Sequence, residues 1–306
     1  MRIATYEHGG TQRCGVVVED SIRPFLDRLD ARAVVELGPD AARELATGPG
    51  IPLTQVKLRA PLRPPSIRDF VAFAEHVQGV RRAVDGGTGV PDAWYDAPTF
   101  YFTNPHTIIG PDDDVAFPAA STARDFELEV AAVAGPDGAV FGYTIFNDWS
   151  ARDLQAREMQ VGLGPAKGKD FAASLGPWIV TADELEPHRD ADGFLNLWCT
   201  ASVNGVEIGR DLLSNMGWTF ETMIAYAARD SRVLPGDVLG SGTVGNGGCL
   251  AELWGRNGRQ DPPPLRDGDL VTLTVQGIGS LTNRVTSGPA TAPLPPVRRR
   301  DPASVR

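Results

Sequence analysis

The stretch FELEVAAVAGPDGAVFGYTIFND, residues 126–148, constrains this chain more than any other. Two apolar runs flank a Pro-Asp-Gly turn, which reads as an antiparallel hairpin. The first run, VAAVAG, is apolar on both faces, so a strand there needs cover on both sides. Such a hairpin calls for a broad, buried sheet around it. The chain's 306 residues suffice for one large domain, or a large one plus a small one. With 34 Gly and 25 Pro, the chain favours many turns and short strands over long helices. The expected class is mostly β with some α, an α+β fold.

Other segments fill in the pattern. MRIATYEHGGTQRCGVVVED reads as a hairpin around Gly9-Gly10, and residues 30–49 have helical spacing with a Gly/Pro stop. A Pro-rich boundary, LRAPLRPPSIRDF, closes a small N-terminal domain at 1–62. A main domain is expected over 63–288 and a disordered Pro/Arg-rich tail over 289–306. Residues 68–84 read as mostly helix, followed by a glycine-rich loop. LNLWCTASVNGVEIG carries an Asn-Gly hairpin signal. Phe220, Met223, Ile224 and Ala227 mark a helix capped by Ser214 or Asn215. DGDLVTLTVQGIGSLTNRV is a closing strand pair.

The formal charge of -10 disfavours phosphate backbones, so no nucleic-acid partner is expected. Cys14, Cys199 and Cys249 are odd in number and far apart, which suits reduced, buried thiols. No signal peptide and no membrane-spanning apolar run are seen, so no membrane partner is expected and the expected location is cytoplasmic.

The chemistry concentrates around the central hairpin. On a strand, Glu127 and Glu129 share a face opposite Phe126, Leu128 and Val130. Two adjacent carboxylates there belong either to a solvated strand edge or, if buried, to a site holding a hard divalent cation. Asp148 ends the second strand and reads either as a helix cap or as a third carboxylate at the same sheet end. Ser150 and Asp153 suggest a capping box. Arg152 and Gln155, three apart, share a helix face. GLGPAKGKDF fails as a phosphate-binding loop, because Leu163 and Asp170 stand where Gly and Ser/Thr are required. Its Lys169 can instead present a cation to an anionic substrate. His76, alone on a partly apolar helix, is more ordinarily a core or surface histidine than a catalytic base.

Taken together, DF…EH, ELE, NDWSARDLQ, GKDF…GPW and PGDV…GSGT, over about 66–285, resemble the fumarylacetoacetate hydrolase family. The resemblance implies a rolled β-sheet domain behind a small N-terminal domain, commonly as a homodimer. It implies Mg²⁺, with Mn²⁺ or Ca²⁺ as substitutes, held by Glu127, Glu129, Asp148 and Asp69. It implies His76 as water-activating base, with Arg152, Gln155 and Lys169 holding substrate and oxyanion. The implied activity is cleavage of a C–C bond in a 1,3-diketo acid, in aromatic or related catabolism. The alternatives are a 2-oxo acid decarboxylase or isomerase, or a non-catalytic binding relative. One departure stands out: the Glu that orients the histidine in fumarylacetoacetate cleavers is replaced by Gly248, and an alternative position by Gly79. The segment 79–96 is expected to act as a lid and to select the substrate's side chain.

Overall fold

The computed structural model describes residues 1–25, 29–46, 48–84 and 87–299. The hairpin forms as expected. Leu128–Ala134 and Val140–Asn147 pair antiparallel, with Glu129 opposite Phe146. They lie inside a 12-stranded sheet. On one side follow Ala173–Thr181 and then the N-terminal strands Arg2–His8, Thr11–Val18, Ser21–Pro24 and Ile51–Pro52. On the other follow Val238–Gly240, Ile67–Phe70 and Phe100–Thr103. A second, five-stranded sheet runs Val206–Leu212, Trp198–Val203, Leu270–Val275, Gly279–Ser287, Asp114–Phe117. The fold is α+β and dominated by strands.

Both faces of the hairpin are buried, as its unbroken apolar pattern requires. Phe126, Leu128, Val130 and Ala132 pack in one core with Leu197 and with Ala201, Leu273 and Leu281 of the second sheet. Ala131 and Val133 face a second core with Ile3, Val34 and Val35. The core therefore lies on both sides of the strand that carries Glu129.

The Asn-Gly hairpin is present between Trp198–Val203 and Val206–Leu212, with Asn204 at φ 52° and Gly205 at φ 78°. The closing strand pair is also as read. Three expectations need correction. Residues 67–70 are strand, not helix, because parallel pairing with Val238–Gly240 buries all four side chains; the helix starts at Ala74 and runs to Val84. The helical stretch after residue 30 is two helices, Ala31–Leu37 and Pro39–Leu45, broken where Gly38 takes φ 85° ahead of Pro39. The helix Phe220–Ala227 is capped by Thr219, whose hydroxyl accepts from Thr222 N; Ser214 and Asn215 lie in a separate 3-10 turn. Residues 288–299 have no regular secondary structure, and the rest of the expected tail lies outside the described residues. No helix among the described residues is long and apolar enough to cross a membrane.

Candidate active site and metal centre

The carboxylates meet because three adjacent strands bring them together. Asp69 pairs with Gly240, and Gly240 pairs with Ala131 on the strand that carries Glu129. A Cβ at Gly240 would lie 2.8 Å from both Asp69 Oδ1 and Glu129 Oε2, so the glycine leaves the space in which the two carboxyls approach. Oxygens of Asp69, Glu127 and Glu129 all fall within 4.8 Å of one another. Glu127 is 4% exposed and Glu129 1%, which rules out the solvated strand edge.

Asp148 is fully buried at the end of the neighbouring strand. It caps no helix: the helix Arg152–Met159 starts after Ala151 without a side-chain cap. The expected capping box is absent too. Ser150 belongs to a short strand paired with Arg124–Asp125, and Asp153 accepts instead from Ser121 Oγ and Thr122 N. Asp148 Oδ2 accepts from Lys169 Nζ at 2.5 Å and from the Tyr101 hydroxyl. Lys169 also reaches Glu127 at 2.6 Å and Ser150 Oγ at 2.8 Å. Lys167, by contrast, is an exposed partner of Asp170. Arg152 is buried rather than at the surface, 2.8 Å from Asp125 and 2.7 Å from Glu127, and donates to Gln155 Oε1 at 3.1 Å.

Charge in this volume does not balance. Asp69, Asp125, Glu127, Glu129 and Asp148 are five buried carboxyls facing two buried cations, Arg152 and Lys169. Burial and then Asp148 push the Asp69 carboxyl well above its ordinary range; burial and then Asp69 do the same to Glu129. Burial also raises Glu127, but Arg152 and Lys169 outweigh it and hold that group low. Asp69 Oδ1 and Asp148 Oδ1 have no hydrogen-bond partner among the described residues. A buried surplus of oxygen ligands with orphaned lone pairs fits a hard divalent cation. The residues present can hold one.

His76 is buried, with Nε2 4.0 Å from Glu127 Oε1. Burial pushes its pKa down to about 4, so the imidazole is neutral at pH 7. Nδ1 is on the other side of the ring from Glu127, 3.7 Å from Cys249 Sγ and 4.0 Å from Glu252 Oε2. Glu252 was not anticipated. A side chain at Gly248 does not fit, since its Cβ would lie 2.0 Å from Val244 O. The carboxylate arrives instead from the helix Leu250–Asn257, which crosses the His76 helix closely. A Cβ at Gly79 would meet Glu252 Cγ at 2.4 Å, and one at Gly255 would meet Gly79 O at 2.0 Å. The signal was present as Cys-Leu-Ala-Glu, of whose capping-box pattern the first half forms, with Cys249 in the Ser/Thr place: Sγ accepts from Glu252 N at 3.4 Å. Asp125 was missed as well. It joins Arg152 to the N-terminus of that helix, accepting from Leu250 N and Ala251 N. Tyr101 was the third omission.

Two cavities flank the cluster. One of about 350 Å³ touches Lys169 and Tyr101; another of about 330 Å³ touches His76. A larger one, about 780 Å³, runs along the N-terminal strands near Arg59 and His106 and includes none of the candidate residues. Adjacency to the chemistry favours the smaller pair.

The family described as fumarylacetoacetate (FAA) hydrolase C-terminal matches residues 66–286. A fumarylacetoacetase of Arabidopsis thaliana is 29% identical, with 78% of this chain and 73% of that protein covered. The crystal structure of a 5-carboxymethyl-2-hydroxymuconate delta-isomerase from Mycobacterium smegmatis superposes with a TM-score of 0.70 at 27% identity, covering 94% of this chain and all (100%) of that one. A 2-keto-3-deoxy-D-arabinonate dehydratase, complexed with magnesium and 2,5-dioxopentanoate, shares the fold at 22% identity and a TM-score of 0.70, covering 94% and 99%. The chain belongs to the fumarylacetoacetate hydrolase family.

Proposed function

We propose that this chain is a divalent-metal-dependent hydrolase that cleaves a C–C bond in a 1,3-diketo acid, with Mg²⁺ as the preferred ion. The observation that carries this reading is the surplus of buried carboxylates beside a neutral imidazole. Asp69, Glu127 and Glu129, whose oxygens lie within 4.8 Å of one another, would hold the ion, with the unpartnered Oδ1 of Asp148 as a fourth ligand; the ion would supply a Lewis-acid grip on the oxo-carboxylate of the substrate.

The protein's own groups do the rest. His76 Nε2 is the nitrogen on the carboxylate side, and takes a proton from water as the water oxygen attacks the carbonyl carbon. Arg152 and Lys169 would donate to the carbonyl oxygen as it gains the negative charge; one such donor contributes about 3 kcal/mol. Gln155 fixes the Arg152 guanidinium from the helix side. The C–C bond then breaks, its electron pair leaving as an enolate, which the imidazolium reprotonates. The products are a carboxylic acid and a 2-oxo acid.

A second reading, 2-oxo acid isomerase or decarboxylase, draws on the delta-isomerase likeness and on the 4.0 Å gap between His76 and Glu252, longer than a hydrogen bond. A panel of acylpyruvates and oxaloacetate, assayed with Mg²⁺ and with EDTA, separates the two. Mg²⁺-dependent release of a carboxylic acid supports the hydrolase. Turnover confined to oxaloacetate sinks it, and silence on every compound with metal still bound leaves a binding protein.

A further inference from the structure

We propose that the cavity beside His76 seats the non-reacting end of the substrate and selects an alkyl or aryl tail over a carboxylate-bearing one. This rests on the reading above, which places the oxo-carboxylate at the acidic cluster.

The His76 ring is common to both spaces: Nε2 faces Glu127, and the ring also lines the cavity of about 330 Å³. A substrate whose carbonyl lies at the imidazole therefore extends its far end into that cavity. The other walls are mostly apolar, Val77, Val80, Pro91, Ala93 and Trp94 among them, with Thr99 and Arg81 as the polar members besides His76. Val80 packs on the main core, so its wall is fixed. Trp94 is fixed as well. Its indole N–H donates to Val71 O at 2.6 Å, which satisfies its polar atom and leaves an apolar ring for the ligand. A Cβ at position 217 would lie 2.6 Å from Trp94 Cη2, so Gly217 is what lets the ring seat there.

The rival occupant is a second carboxylate, and the group that could meet it is Arg81, on the cavity's edge. Its guanidinium already donates to the carbonyls of Thr88 and Gly89, at 3.3 and 3.1 Å. Moving it onto a ligand would release the loop that carries Pro91, Ala93 and Trp94. An apolar tail needs no such change and gains by leaving water.

The test uses 2-oxo acids without a 4-oxo group, which cannot be cleaved, titrated calorimetrically into Mg²⁺-loaded protein: pyruvate, 2-oxohexanoate, 2-oxooctanoate, phenylpyruvate and a 2-oxo dicarboxylate of matching length. Affinity should rise roughly fourfold per methylene until the cavity fills. The dicarboxylate should bind more weakly than its monocarboxylate counterpart. Trp94→Ala should flatten the series. Ala93→Glu, at an exposed position where a charged side chain should be tolerated by the fold, should weaken 2-oxooctanoate at least tenfold while leaving pyruvate nearly as it was. A flat series in the parent protein, a tighter dicarboxylate, or an unchanged slope in both variants overturns the inference. If the series rises but no 1,3-diketo acid is cleaved, the apolar tail site stands and only hydrolysis fails. If no 2-oxo acid binds at all, both fall together.

Discussion

Glu252 Oε2 lies 4.0 Å from His76 Nδ1, on the side of the imidazole away from the metal-site carboxylates. The two residues come from helices that touch at Gly79 and Gly255, where no side chain would fit. Burial raises Glu252 to about 7, against the pull of Arg256 at 2.5 Å. When ionised, Glu252 favours the Nδ1–H tautomer and makes Nε2 the better base.

Glu252→Gln should therefore lower kcat about 10- to 100-fold with little effect on Mg²⁺ affinity. Because Glu252 titrates near 7, the parent enzyme should lose kcat below that pH, and this acid limb should flatten in the variant. Parent-like kcat and an unmoved pH profile would show that Glu252 is only structural.

Gly240→Ala would introduce a methyl group 2.8 Å from carboxylate oxygens of both Asp69 and Glu129. Calorimetry should show Mg²⁺ affinity reduced tenfold or more, with the far-ultraviolet circular dichroism spectrum retained. Asp69→Asn should have a similar effect, and undiminished affinity in both variants would remove Asp69 from the ligand set.

His76 carries a pH signature in stability. Its pKa falls from 6.5 in the unfolded chain to about 4 in the fold, because burial disfavours the charged ring. Between those values the unfolded state binds more protons, so stability is lost as pH drops from 6.5 through 4. The full effect is about 3 kcal/mol. Urea unfolding of His76→Gln at pH 7.5, 6 and 5 should show a shallower acid-side decline than the parent. Asp69 and Glu129 titrate in the opposite sense in both proteins, so they cancel in the comparison. Parallel curves would contradict a neutral buried imidazole.

The three cysteines, Cys14, Cys199 and Cys249, are buried and free. Burial pushes the Cys14 thiol up to about 12 and raises Cys199 and Cys249 as well. A disulfide reagent at pH 8 should label none of them within minutes in the native protein, and all three after denaturation. Rapid labelling of Cys249 would mean that the back of the His76 site opens readily.

Much of this molecule was legible in order along the chain. The apolar runs in FELEVAAVAG and VFGYTIFN mark two strands, and a period of two carried back to residue 127, just before Leu128–Ala134, puts both glutamates on one face. The Asn204-Gly205 turn, the closing strand pair and the motif residues of the site are local in the same way. Distance in sequence hid the rest. Asp69 was read on a helix because only its parallel partner, Val238–Gly240, makes residues 67–70 a strand. Asp148 and Arg152 could be read as a surface cap and a surface ion pair, because burial is a property of what packs on a residue and not of the residue itself. Glu252, 176 residues beyond His76 in numbering, becomes its neighbour through two glycines that let their helices touch, a contact no local pattern encodes. The chain's local chemistry thus settled which groups are available and which way they face; only long-range packing settled which of them share one buried volume, where charge has to be balanced.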